Sequence, residues 1–261
     1  MKITPLHGLL LAISHTFQKS VAQIEPKIVG GEFANIQNYP HSVFLSVLQC
    51  SNDNSPVSWI CGGSILNQNF VLTAAHCLDE CHRGSKIYVV YGHENKNMGN
   101  GRRSHKFKIH ENFNTHTLQA DIAIIKVQND IVFSKKVQRV MIHWDTPTAG
   151  SAYVAGWGVV EQKTGATATS LKYIKQNILP RVECSNILGS LPPGRLCAGQ
   201  TKVGQFAAEG DSGGALVVRN YFQIGIVSYK IPTISISLIV YTDVGYYYNW
   251  ITKNTKQLFC S

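Results

Sequence analysis

Between residues 40 and 140 the chain alternates short apolar, β-branched runs with polar turns, at 42–48, 64–66, 69–73, 87–91 and 122–127. A second series follows at 152–156, 171–178, 215–218, 222–227 and 238–241. Many short runs of this kind, without repeating helical segments between them, predict an all-β sandwich or barrel. Only the tail, 244–259, reads as a helix, with Tyr248, Trp250 and Ile251 among its apolar positions. The chain has no internal repeat, low-complexity tract or long linker.

Length and composition change this picture in a few places. The 261 residues, 44% of them hydrophobic, suffice for one large or two small domains with a buried core and argue against disorder. Residues 1–22 carry Lys2, an apolar stretch at 6–13 interrupted by His7 and Gly8, and the small-residue end Ser20, Val21, Ala22, and are expected to be a signal peptide. No other stretch approaches the roughly 20 apolar residues that cross a bilayer, so a secreted, extracellular protein is expected. Seven cysteines fit an oxidising compartment.

The formal net charge of +9 invites a polyanionic partner, with Arg102, Arg103, His105, Lys106 and Lys108 the densest basic run. The same run also suits a solvated basic loop. No nucleic-acid motif is present. No metal or other cofactor is expected: the loop 91–104 offers only Glu94 as a carboxylate, and His110, Glu111 and His116 lack the spacing of a zinc-protease motif. There is no Asn-x-Ser/Thr acceptor for glycosylation.

Candidate chemistry centres on Gly210, Asp211, Ser212, Gly213, Gly214. A serine hydroxyl is a weak nucleophile until it has a base, a group that orients the base, and donors aimed at a developing oxyanion. The backbone N–H groups of Gly210 and Ser212 can point into one small cavity and serve as those donors. Alone, the run also suits an ordinary turn. His76, in Thr73, Ala74, Ala75, His76, Cys77, is the candidate base, and Asp121, opening the apolar run Asp121 to Lys126, is the candidate buried acid that needs a partner.

With Ile28 to Gly31 (IVGG), Cys61 to Ser64 (CGGS) and Ala155 to Gly158 (AGWG), these motifs stand in an order that resembles the trypsin and chymotrypsin family of serine proteases, including arthropod and mite members and their inactive paralogues. The resemblance covers nearly the whole chain after Pro26. It implies two six-stranded antiparallel barrels in a peptidase domain at 28–261, with the cleft between them carrying His76, Asp121 and Ser212 as a Ser-His-Asp triad. It also implies a propeptide at 23–27 cut after Lys27, which frees the α-amino group of Ile28 to pair with Asp211 and order the oxyanion site. Bridges Cys61–Cys77 and Cys184–Cys197 follow from the resemblance. A third between Cys50 and Cys81 is expected from neighbouring loops, and Cys260 is left over.

Departures from the family lie at the substrate pocket. Phe206 stands where trypsins carry an acid, so no preference for lysine or arginine is expected; Ala207, Ala208 and Glu209 follow, and Ala208 replaces a bridged cysteine. After Ser228 come Tyr229 and Lys230 in place of Trp and Gly, and Ile239 replaces a second glycine. These substitutions predict a pocket that is occluded or limited to small side chains. Two readings follow: a monomeric secreted endopeptidase with protein substrates, an activating protease and protein inhibitors as partners, or an inactive homologue that binds proteins.

Overall fold

The structure is a computed structural model and describes residues 31–50, 56–82, 84–142, 144–161, 164–200, 206–235 and 237–260. The leader and activation segment expected at 1–27, with Lys27 and Ile28, lie outside the described residues.

The first half of the chain contains β1 (Glu32–Phe33), β2 (Ser42–Cys50), β3 (Pro56–Ile65), β4 (Phe70–Thr73), β5 (Lys86–Tyr91), β6 (Asn100–Ile109), β7 (Ala123–Val127) and β8 (Met141–Ile142). The second half holds β9 (Gly150–Gly156), β10 (Val159–Glu161), β11 (Ala166–Thr167), β12 (Lys172–Ile178), α1 (Arg181–Leu188), β13 (Arg195–Gln200), β14 (Ala215–Val218), β15 (Phe222–Lys230), β16 (Ile239–Asp243) and α2 (Tyr248–Cys260). Strands β2, β3, β4, β7, β6 and β5 pair in that order and close on themselves through β5 and β2. A second ring runs β12, β13, β16, β15, β14, β9 and closes through β9 and β12, with β1 and β8 added at its edges. These are the two six-stranded antiparallel barrels. Short β10 and β11 form a separate pair.

Alternation along the strands sorts the apolar side chains. On β2, Val43, Leu45 and Val47 enter the first core, while Phe44 on the opposite face meets Trp157 edge-on at 6.1 Å in the layer between barrels. Ile174 and Ile178 of β12 enter the second core with Val154, Leu216, Ile224 and Tyr241. Burying each such side chain contributes about 1.5–3 kcal/mol, and the intermediate layer, with Ile36, Leu171 and Val217 fully buried, fixes one barrel against the other.

Helix α2 lays Ile251 on the first barrel, and the Lys126 ammonium donates to the Leu258 carbonyl at 2.5 Å, satisfying its last turn. It begins at Tyr248 rather than 244, because Asp243 Oδ1 accepts from the N–H groups of Gly245 and Tyr246 and turns the chain first. Helix α1 did not appear in the apolar pattern; it ends at Gly189, whose φ of 77° suits a glycine. Among the described residues no helix is long and apolar enough to cross a membrane.

Cys61–Cys77 and Cys184–Cys197 are bonded. Cys81 is a free, half-buried thiol that burial pushes up to about 11; the Cys50 side chain, and with it the expected Cys50–Cys81 bridge, lies outside the described residues. Cys260 is free and exposed.

Candidate active site

His76 sits in a single 3-10 turn, Ala75–Cys77, directly after β4, and the Cys61–Cys77 disulfide ties that turn to β3. Asp121 is delivered by an unusual approach: Leu118 and Ala120, at φ 52° and 53°, occupy the left-handed region that non-glycine residues rarely adopt. The Asp121 side chain is fully buried. Its Oδ1 accepts from the His76 backbone N–H at 2.9 Å, and Oδ2 lies 2.8 Å from His76 Nδ1 and accepts from Ser228 Oγ at 2.5 Å. Thr242 Oγ1 donates to the Asp121 carbonyl at 2.8 Å. A buried carboxylate with three donors is well satisfied. Two of the groups that hold Asp121 come from β15 and β16, so both barrels orient the acid that orients His76.

Ser212 is placed by close backbone approach. The N–H of Gly62 on β3 donates to the Ser212 carbonyl at 2.7 Å, and a Cβ on Gly62 would stand 3.0 Å from the backbone of Gly214. Gly213, at φ 84°, leaves no room for a side chain, since a Cβ there would meet Thr73 Oγ1 at 2.2 Å. Gly210 has φ 88°. Among the described residues the N–H groups of Gly210 and Ser212 have no protein acceptor, which leaves both available to a ligand oxygen, and Ser212 Oγ makes no hydrogen bond to His76.

Asp211 points away from this corner. It is 1% exposed, and Oδ1 and Oδ2 accept from the N–H groups of Gly158 and Ala208, each at 2.9 Å. Burial nevertheless pushes its carboxyl up to about 6, with the two N–H groups and the charge of Lys230 acting against that rise. The AGWG run has a physical reason here, because a Cβ on Gly156 or Gly158 would fall 2.2 or 2.5 Å from the Asp211 carboxyl group. No acidic or basic side chain forms an ion pair with Asp211 among the described residues.

Beside Ser212 opens a cavity of about 260 Å³ lined by Ala207, Ala208, Glu209, Val227, Ser228, Tyr229, Lys230, Pro232 and Ile239. Phe206 is buried behind it. Lys230 lays its ammonium 4.2 Å over the Phe206 ring and 3.5 Å from the Ala207 carbonyl. Burial lowers its pKa, opposed by the charges of Glu209 and Asp211. Space therefore remains near Ser212, and the lysine stem occupies the side toward Phe206. Cys61, His76 and Cys77 hold ligand-type atoms within 4.8 Å of one another, but the disulfide leaves no thiolate there.

Of the expected site residues, Ala207, Glu209, Ser228, Tyr229, Lys230 and Ile239 line the cavity beside Ser212, and His76 pairs with Asp121, while Cys81, Cys184 and Cys197 lie elsewhere. Sequence reading placed Ser228 in the pocket wall; its hydroxyl also holds Asp121. It missed Thr242, and it quoted Gly62 in the CGGS run without a role; their contacts span 121 and 150 positions.

Comparison with known proteins places the chain in one neighbourhood. A family model described as Trypsin matches residues 28–251. The trypsin of Sarcophaga bullata is 32% identical over 246 residues, covering 90% of this chain and 91% of that one. Trypsin delta of Drosophila melanogaster is 30% identical over 239 residues, covering 89% and 90%. Among solved structures, the scabies mite inactivated protease paralogue S-D1 superposes with a TM-score of 0.77 at 25% identity, covering 87% of this chain and 97% of that one.

Proposed function

Since the chain belongs to the trypsin family of serine proteases, whose substrates are proteins, we propose that it is a secreted, monomeric endopeptidase acting through Ser212, His76 and Asp121. The observation that carries this reading is the buried Asp121 carboxylate, 2.8 Å from His76 Nδ1 and also bonded to Ser228. That bond leaves His76 Nε2 as the basic nitrogen on the Ser212 side.

In the proposed reaction Ser212 Oγ attacks the scissile carbonyl carbon while its proton passes to His76 Nε2. The carbonyl oxygen, now negative, is held by the N–H groups of Gly210 and Ser212. His76 then returns the proton to the leaving amine as the C–N bond breaks, leaving an acyl group on Ser212. Water, deprotonated by His76, attacks this ester, and the serine leaves with the proton restored. Asp121 keeps the imidazole in the required tautomer and stabilises its protonated form.

Cleavage after Lys27 by another protease would free the Ile28 ammonium to pair with Asp211, a buried carboxyl that forms no ion pair among the described residues and feels Lys230 only at longer range. The side chain before the scissile bond would enter the cavity beside Ser212, where Lys230 and Ile239, in place of the family's glycines, would favour a small one, and protein inhibitors would enter the same cleft. A second reading, an inactive protein-binding homologue, draws on Lys230 lying over Phe206 and on the likeness to an inactivated mite paralogue.

One experiment separates them. Lys27-cleaved protein is treated with a small fluorophosphonate, with Ser212→Ala as control, and then with a mixed peptide library. Labelling lost in the control, together with cleavage after small residues, is the expected outcome. Absence of labelling would leave the binding-protein reading standing.

A further inference from the structure

We propose that the outer face of the first barrel, around β6, is a docking groove for a sulfated polysaccharide. The groove originates in a bulge. Ser104 pairs with Val127 and Lys106 with Lys126, so β6 holds one residue more than β7 across this step, and that residue is His105. In an unbroken strand Arg103 and Lys106, three positions apart, would face opposite sides of the sheet. The extra residue resets the alternation, and Arg103, His105 and Lys106 are all exposed, while Phe107 packs back toward the first core.

These three side chains border a cavity of about 480 Å³ whose other walls include His82 and Gln128, with Leu258 of α2 closing one side. The Lys126 bond to the Leu258 carbonyl fixes that wall. Among the described residues no carboxylate lines the cavity. Among the described residues the side chains of Arg103 and His105 make no hydrogen bond or ion pair. Arg102 behaves differently: its guanidinium donates to the carbonyls of Asp130 and Gly101 and lies 5.9 Å from the Tyr91 ring. The bulge thus gathers Arg103, His105 and Lys106 along one concavity, on a chain of net charge +9.

The occupant follows from shape and charge together. A linear chain whose sulfates recur along its length can enter a groove and meet Arg103, His105 and Lys106 in turn, whereas a flat anionic bilayer cannot reach charges set in a concavity. Exposed charges of this kind act through screened attraction, so binding falls as salt rises.

The test uses the full chain and a heparin-derived hexasaccharide, titrated at two ionic strengths. Arg103→Ser/Lys106→Ser is expected to weaken binding roughly tenfold and to flatten its salt dependence. The control pair Lys135→Ser/Lys175→Ser removes two exposed positive charges elsewhere and is expected to leave affinity within about twofold. Thermal unfolding of both double variants establishes that they fold. Equal weakening by the two pairs would reduce the effect to general charge attraction and overturn the proposal. So would absence of hexasaccharide binding, or stronger binding to anionic phospholipid vesicles than to the hexasaccharide.

Discussion

Lys230 lines the cavity beside Ser212, and Asp211 is buried with its carboxyl turned away from it. Lys230 stretches across the cavity floor to lie 4.2 Å over Phe206, a contact that its four-carbon stem reaches and a glycine would leave open. Lys230→Gly is expected to raise kcat/KM for peptides with Leu or Phe before the scissile bond, on the order of tenfold, with less change for Ala. Equal gains for all three would mean that the lysine does not set the pocket's depth. Asp211 and His41 give stability opposite pH dependences. Burial lowers the His41 imidazole from 6.5 to about 4, so its contribution grows as pH rises through that range, and the Asp211 contribution is read as the difference from Asp211→Asn. Burial lifts the Asp211 carboxyl from 3.8 to about 6, so the folded chain binds this proton more tightly than the unfolded one. The resulting stabilisation is complete below 3.8 and is lost as pH rises through about 6, a difference of about 3 kcal/mol. Urea midpoints of the uncleaved chain between pH 4 and 7 should carry this component. It should disappear in Asp211→Asn, and, on the proposed activation, in protein cleaved after Lys27, where an ammonium would pair with the ionised form.

At the scale of elements, strands rich in Val and Ile were legible from alternation alone, as β2, β5, β7 and β12 illustrate. β6 was not, because its sequence NGRRSHKFKI buries little; it is a strand because β5 and β7 offer their edges to it. β13 is likewise held by β12 and β16. The motifs around His76, Asp121 and Ser212 were readable as a resemblance, and their convergence was part of it. The Ser228 and Thr242 bonds to Asp121 were not, since they cross 107 and 121 positions. The Cys81 thiol is half-buried and hydrogen-bonded to Ser85, and its expected partner Cys50 has a side chain outside the described residues. The Cys184–Cys197 bridge, which joins α1 to β13, closes a separation of 13 residues. Replacing both cysteines by serine is expected to cost about 2–4 kcal/mol, read from urea midpoints. A cost near zero would mean that the Arg181 bonds to the carbonyls of Arg195 and Leu191 suffice to hold this corner.

For the whole molecule, the decisive packing is the layer between barrels. Phe44 from the first meets Trp157 from the second, and the Gly62 bond to the Ser212 carbonyl crosses the same boundary. Phe44→Ala is expected to cost about 3–5 kcal/mol and to slow fluorophosphonate labelling of Ser212 at temperatures below global unfolding. Labelling that falls only with global unfolding would mean that the barrels stay docked without this ring. The division of the cleft between barrels also has a consequence for biosynthesis. His76 and Asp121 leave the ribosome in the first half of the chain, and Ser212 follows Asp121 by 91 positions. At ordinary synthesis rates that interval is roughly 5–20 s. On the proposed mechanism, a nascent chain would throughout it hold a base with nothing to activate, and both docking of the second barrel and cleavage after Lys27 would still have to follow.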